Sequence, residues 1–482
     1  MRSLLLLFLL CLSLACSGAK PLTLDAGLPG VDCPPGVALA GECQRDADCA
    51  SGVCVADTAA PLEEGAPVPL LCAPASAAGD GLCSQPSDCA RGVCLVSGSC
   101  AGPCVDDADC DGGDVCRHAW ALRSSEVAQD LGACVPRVLL PTGVSAERLP
   151  RAALLSSSAP RVTLPLAAGP SLSVFLPSCG AEVSAHRLAL MDGTELFGPS
   201  AGDADHPPIN PIAALGRPLT LLVPSGSDAP AAPDGYALEL DATGEGSVEQ
   251  ITLRGVPGPG SLALQLFYVG VPGWAPVGDA PPPEVQAALA ELLSILSAAS
   301  ITAYVAGQHV IPGQLATRLA VLDETPDGHS PEREELFALS AGLRQPALPV
   351  FFVRAMDRGA LGASGGIPGP QGVMASTGSG VVVAASIIGE ERLSLGAVLT
   401  HEVGHFLGLF HTSEINGSGV EALGDTPVCD PLHDADGDGV LAAGECSGFG
   451  SENLMFWSGR GRGTELTADQ ATILGGAVLL ER

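Results

Sequence analysis

The sequence predicts a multidomain chain: disulfide-rich N-terminal repeats, then an all-β sandwich-like middle domain, then an α/β (α+β) C-terminal domain. Three observations predict it. Thirteen of the 18 cysteines crowd between Cys33 and Cys134. Short apolar runs then alternate with Gly, Pro and Asp turns from Val144 to Pro259. Beyond Ser261 strand-like and helix-like segments take turns. At 482 residues the chain is too long for one compact core. The expected divisions are 1–16, an export signal; 17–140, the cysteine-rich repeats; 144–259, the sandwich-like domain; and 260–482, the C-terminal domain.

Arg2 precedes the apolar run Leu4 to Ala15, which is too short to cross a bilayer and suits a signal-peptide core. The run ends in Leu12-Ser13-Leu14-Ala15-Cys16, which resembles a bacterial lipoprotein box with Cys16 as the lipidated residue. Ser13 departs from the leucine usual at that place, and cleavage near Ala19 to release a soluble protein is the alternative. Both routes take the chain out of the cytoplasm, to the outer membrane or cell surface if anchored and to the medium if not. The formal net charge is −32, with Lys20 the single lysine. Such a surface repels nucleic acid and anionic lipid and attracts calcium, so a lipid anchor is the expected membrane contact.

The cysteines recur in triplets: Cys43, Cys49, Cys54; Cys83, Cys89, Cys94; Cys104, Cys110, Cys116. Units this small cannot support a core of their own, so the period marks disulfide-stapled modules. Zinc is the competing reading, but no C-x-x-C pair occurs and an exported chain meets an oxidising compartment. The modules loosely resemble short cysteine-rich units of secreted proteins. Thirteen is an odd number, and Cys179 is the nearest further partner. Cys179 also loosely resembles the thiol that keeps some exported precursors latent, so a structural disulfide and a latency thiol both stay open.

In the middle, Arg161 to Leu164, Leu172 to Leu176, Leu219 to Val223 and Tyr236 to Leu240 show the period of two expected of strands in a sandwich. Next, Leu262 to Val269 reads as a strand and Pro283 to Ala298 as a helix, with prolines and an acid at its start. Ile301 to Val310 and Pro349 to Met356 read as strands, with a helix over Pro331 to Ala341 between them. The glycine-rich stretch from Gly362 to Pro370 lacks the lysine of a phosphate loop and reads as a plain loop. Gly380 to Ser386 is a further strand, and a helix begins near Leu395.

That helix carries His401-Glu402-Val403-Gly404-His405-Phe406-Leu407-Gly408-Leu409-Phe410-His411. Helical residues four apart share a face, so His401 and His405 can direct ring nitrogens at one zinc ion. Glu402 sits one position round, placed to take a proton from water without ligating the metal. Gly408 accepts the left-handed conformation that ends a helix and lets the chain bring in His411 as third ligand. Three nitrogens leave a fourth position for water, which marks a catalytic rather than a closed structural site.

Downstream, Asp434 to Glu445 follows the twelve-position calcium loop. Asp434, Asp436, Asp438 and Glu445 stand at positions 1, 3, 5 and 12, Gly437 at 6, and Val440 offers a carbonyl at 7. A solvated acidic turn is the plain alternative. Cys429 and Cys446 bracket the loop and close it if bonded.

The histidine motif, followed by Met455 in Asn453-Leu454-Met455, resembles the metzincin zinc metalloproteases. Thr412, the element Gly424-Asp425-Thr426-Pro427 and the cysteine-bracketed acidic loop are most similar to their pappalysin (M43) family, over roughly 260–482. The order around Asp425 is compressed here, and Trp457 stands where some metzincins place a tyrosine. The resemblance implies a metzincin-like catalytic domain, a zinc endopeptidase acting on protein or peptide, and a Met-turn at Met455 beneath the metal. The alternative is a surface-anchored binding or adhesion protein with a vestigial protease domain.

Overall fold

A computed structural model describes residues 40–41, 49, 54–56, 69–72, 81–110, 112–124, 127–155, 161–166, 171–179, 182–197, 219–223, 234–243, 246–323, 330–374, 376–390, 393–417, 421, 423–461 and 463–482. The expected signal segment and Cys16 lie outside these residues. No helix among them is long and apolar enough to cross a membrane.

Two cysteine modules have all their disulfides described, and the bonds interleave. Cys83 pairs with Cys94 and Cys89 with Cys100; Cys104 pairs with Cys116 and Cys110 with Cys134. The first and third cysteine of each triplet bond to each other, and the second reaches a cysteine beyond the triplet. The sulfurs form two buried clusters beside a small core of Val93, Leu95, Val115, Leu131 and Val135. The long antiparallel pair Asp114–Leu122 and Ala128–Pro136 carries them.

The middle region forms two antiparallel sheets. One joins Ser145–Leu155, Gly246–Gly255, Ser171–Leu176, Leu219–Val223 and Ser178–Cys179; the other joins Glu195–Phe197, Glu182–Leu190, Tyr236–Thr243 and Arg161–Leu166. Leu172, Val174, Leu219 and Leu221 from the first meet Leu164, Val183, Leu188 and Leu238 from the second in one core. Alternate residues face this core, and the other faces of Leu219–Val223 and Ser171–Leu176 are covered as well, with Leu222 and Phe175 in neighbouring cores. Cys179 pairs by its backbone with Ser247; its side chain lies outside what is described.

The C-terminal region is built on a five-stranded mixed sheet. Its order is Ile301–Val310, Gly260–Val269, Leu348–Val353, Val381–Ala384, Gly362–Ser364. The first four strands are parallel, and Gly362–Ser364 runs antiparallel at the edge. Placing 362–370 wholly in a loop is therefore corrected at its start. Residues this small carry no periodic signal, and pairing with Val381–Ala384 alone makes the strand. Helices Pro283–Leu296 and Leu395–Leu407 pack together on one face, with Leu292, Val398 and Leu399 in a core shared with Leu264, Val350 and Val383. The other face carries Phe267, Phe337 and Phe351.

The regions are joined by specific seams. Ser97 Oγ donates to the Ala341 carbonyl at 2.5 Å, and Arg344 donates to the Cys100 carbonyl at 2.7 Å. Thr220 Oγ1 donates to the Pro368 carbonyl at 2.5 Å. Its strand neighbour Leu222 enters the core beneath the helix Leu395–Leu407. Where modules and sandwich meet, the fully buried Glu249 lies among Arg117, Arg137 and Arg148. Those guanidinium charges hold its carboxyl below the usual range against the opposing effect of burial.

Candidate active site

Every residue of Leu395–Leu407 is buried, which suits a helix apolar nearly all round. Ser394 caps its start, accepting from the Ala397 amide. Gly408 ends it at φ 118°, and the amides of Gly408 and Leu409 both bond back to the Gly404 carbonyl, at 3.0 and 2.9 Å. This reversal returns the chain so that His411 faces His401 and His405.

The three Nε2 atoms converge. His411 Nε2 lies 3.2 Å from that of His401 and 3.1 Å from that of His405. Each Nδ1 has an oxygen partner: the Leu454 carbonyl at 2.8 Å for His401, the Leu409 carbonyl at 2.7 Å for His405, and both Glu414 carboxylate oxygens at 3.2 Å for His411. With Nδ1–H donating outward, each ring turns its Nε2 lone pair to a common point. This donor set suits zinc: three imidazoles, each with an oxygen partner at Nδ1 to orient the ring. His401 and His405 are 4% and 6% exposed, whereas the His411 side chain is 23% exposed.

Glu402 is buried, with its side chain against the edge strand: a Cβ built on Gly362 would lie 2.7 Å from Glu402 Cγ and 2.9 Å from Oε1. Below the helix, Met455 is fully buried. A Cβ on Gly404 would fall 2.8 Å from its Sδ, so the glycine lets the thioether approach the helix backbone. The turn holding Met455 is fixed at both ends. Its amide donates to Asn453 Oδ1 at 2.8 Å, and its carbonyl accepts from the Thr412 amide at 3.0 Å, one residue after His411.

Asn453 leads to a second buried chain. Gln470 Nε2 donates to Asn453 Oδ1 at 3.2 Å and to Glu421 Oε1 at 2.8 Å, while Asn453 Nδ2 donates to Gln470 Oε1 at 2.8 Å. Burial pushes the Glu421 carboxyl up to about 7, aided by the negative Asp425 and Asp469 and opposed by its hydrogen bonds.

In the acidic loop, oxygens of Asp434, Asp436 and Glu445 lie within 4.8 Å of one another. Asp438 stays out of that group, and its Oδ1 accepts from the Val440 amide at 2.8 Å. Glu445 reaches back across the loop to the Ala435 and Ala442 amides, both at 2.8 Å. Cys429 and Cys446 are bonded, which closes the loop. Trp457 Nε1 donates to the Leu441 carbonyl at 2.8 Å, and the Leu441 amide donates to the Ile415 carbonyl at 2.8 Å. Trp457 thus ties the loop to the Met455 turn.

Sequence reasoning missed Glu414, Gly362, Gln470 and Glu421. Only Glu414 left a local signal, a carboxylate three residues beyond a candidate ligand. The other three act through pairing and packing with residues distant in the chain.

Residues 347–478 match the sequence model of an M43 peptidase family described as pregnancy-associated plasma protein-A. The match starts well after residue 260, where the resemblance was expected to begin. No curated protein matches the chain. Among solved structures the chain is similar to mirolysin in complex with compound 9, at 16% identity over 45% of this chain and 91% of that one, with a TM-score of 0.30. It is also similar to metalloproteinase-II from Bacteroides fragilis, at 11% identity over 49% of this chain and 63% of that one, with a TM-score of 0.26.

Proposed function

We propose that this chain is a zinc metalloendopeptidase of the M43 type, in which His401, His405 and His411 hold the metal while Glu402 moves the proton. The convergence of three Nε2 atoms beside a buried carboxylate carries this reading. A zinc ion held by these three rings would polarise the scissile carbonyl and acidify the attacking water. The Leu454 and Leu409 carbonyls and the Glu414 carboxylate keep the three rings in the ligating tautomer. Glu402, shielded from bulk water, accepts the proton as water attacks and returns it to the leaving amine. Among the described residues the strand Gly362–Ser364 pairs on one side only, with Val381–Ala384, so its outer edge suits the backbone of an extended peptide beside Glu402. Met455 floors the site.

Calcium at Asp434, Asp436 and Glu445 is part of the proposal, stiffening the segment between His411 and Met455. Asp438 and the Val440 carbonyl are the further ligands the loop pattern offers. Export is also part of it. Five described disulfides suit an oxidising compartment, and Cys16 is the proposed lipid anchor. An intact mass without a lipid increment on Cys16 removes the anchor from the proposal.

The test is Glu402→Ala. The variant keeps zinc and loses casein hydrolysis; retained hydrolysis refutes the role given to Glu402. A wild type that binds zinc yet cleaves no protein would instead favour a surface-binding protein with a vestigial site.

A further inference from the structure

The three candidate ligands are not held alike. His401 and His405 stand on a buried helix and bond to backbone carbonyls, partners that no side-chain change removes. His411 lies beyond the helix end, is the most exposed of the three, and bonds through Nδ1 to a side chain, Glu414. Both carboxylate oxygens sit at the same 3.2 Å from Nδ1, so the acceptor is spread evenly across the ring N–H. The backbone around Glu414 is itself fixed. Its carbonyl accepts from the Gly417 amide at 2.8 Å, Ser413 Oγ accepts from the Cys429 amide at 3.1 Å, and the Thr412 amide bonds to the Met455 carbonyl. The carboxylate is therefore aimed at His411 by a segment tied to the disulfide and to the Met455 turn.

We propose that Glu414 is a positioning residue that sets how tightly zinc is retained, by holding His411, the ligand most open to solvent, in ligating orientation. The inference rests on the zinc reading of the three histidines. Its physical basis is that a carboxylate behind a ligating imidazole fixes the ring and raises its basicity toward the metal. Loss of such a partner typically weakens binding by about 10- to 100-fold. Without Glu414 the His411 ring is free to turn into solvent, and zinc is left with two nitrogens on the helix.

The experiment uses the full-length protein and zinc itself. Zinc affinity is measured by competition with a chromophoric chelator for wild type, Glu414→Ala and Glu414→Gln. Thermal unfolding of the metal-free forms and the visible spectrum of the cobalt-substituted forms are recorded in parallel. Glu414 is 44% exposed in its side chain, so both variants are expected to fold with the metal-free melting temperature of wild type. The expected result is a dissociation constant about 10- to 100-fold weaker for Glu414→Ala. Glu414→Gln, whose amide oxygen still accepts from Nδ1–H, falls between, and the alanine variant's cobalt spectrum shifts as His411 loosens. Equal affinities for wild type and Glu414→Ala overturn the proposal, as does equal loss in both variants accompanied by a lower metal-free melting temperature. A wild type that takes up no zinc sinks the site reading and the proposal with it. Tight wild-type binding with no effect of Glu414→Ala sinks the proposal alone.

Discussion

Replacing Gly362 by alanine tests whether the placement of Glu402 limits the reaction. The added methyl carbon would sit 2.7 Å from Glu402 Cγ, 3.0 Å from Cδ and 2.9 Å from Oε1. Carbon atoms settle at about 3.5 Å or more, so the carboxylate must retreat by nearly 1 Å. Gly362 does not have positive φ, so alanine suits its strand and the flexible glutamate is what yields. A displacement of about 1 Å at a catalytic group costs on the order of 10²-fold in rate, equivalent to about 2.7 kcal/mol. The assay is kcat/KM on a fluorogenic peptide cut by the wild type, alongside zinc content. The expected outcome is a fall of about 100-fold, mostly in kcat, with zinc content unchanged. Gly424→Ala is the control, since a Cβ there meets nothing within 4 Å. A Gly362→Ala enzyme within threefold of wild type, still loaded with zinc, would refute the reasoning.

Glu421 gives a pH prediction. Its carboxyl is raised from 4.5 to about 7, so the stability linked to its proton is fully present below about 4.5 and lost as pH rises through 7. Glu421→Gln should therefore gain melting temperature relative to wild type between pH 5 and pH 8, by a free energy of at most about 3 kcal/mol; parallel profiles would contradict the burial argument. Calcium at a hundred times its dissociation constant should stabilise the protein by about 2.7 kcal/mol. Glu445→Gln should weaken that response, and a melting temperature indifferent to calcium in wild type removes the ion from the loop.

Much of the C-terminal fold was legible because its elements carry strong local signals. Ile301–Val310 matches its expected bounds, and the helix begins at Leu395 and ends at Gly408 as the motif requires. The helix expected to reach Ala298 gives way to a tight turn after Leu296, and the one expected to reach Ala341 stops at Ala338. Those last turns rest on packing rather than periodicity. Gly362–Ser364 was illegible because a short strand of small residues exists only through its partner. The interleaved cysteine bonds were illegible too, since spacing marks a staple without saying which sulfurs it joins. In the site, the histidine spacing exposed the three rings, but Gln470 and Glu421 reach Asn453 across the fold.

Leu222 belongs to a strand of the sandwich, yet its side chain is part of the core under the zinc-motif helix, and a Cβ on Gly408 would lie 2.9 Å from its Cδ2. The boundary between the two regions is therefore not where one hydrophobic interior stops and another starts. A fragment starting at residue 260 would open to water the place in that core which Leu222 now fills. Residues 260–482 alone should therefore be less stable than the longer chain, in which the two regions should melt together.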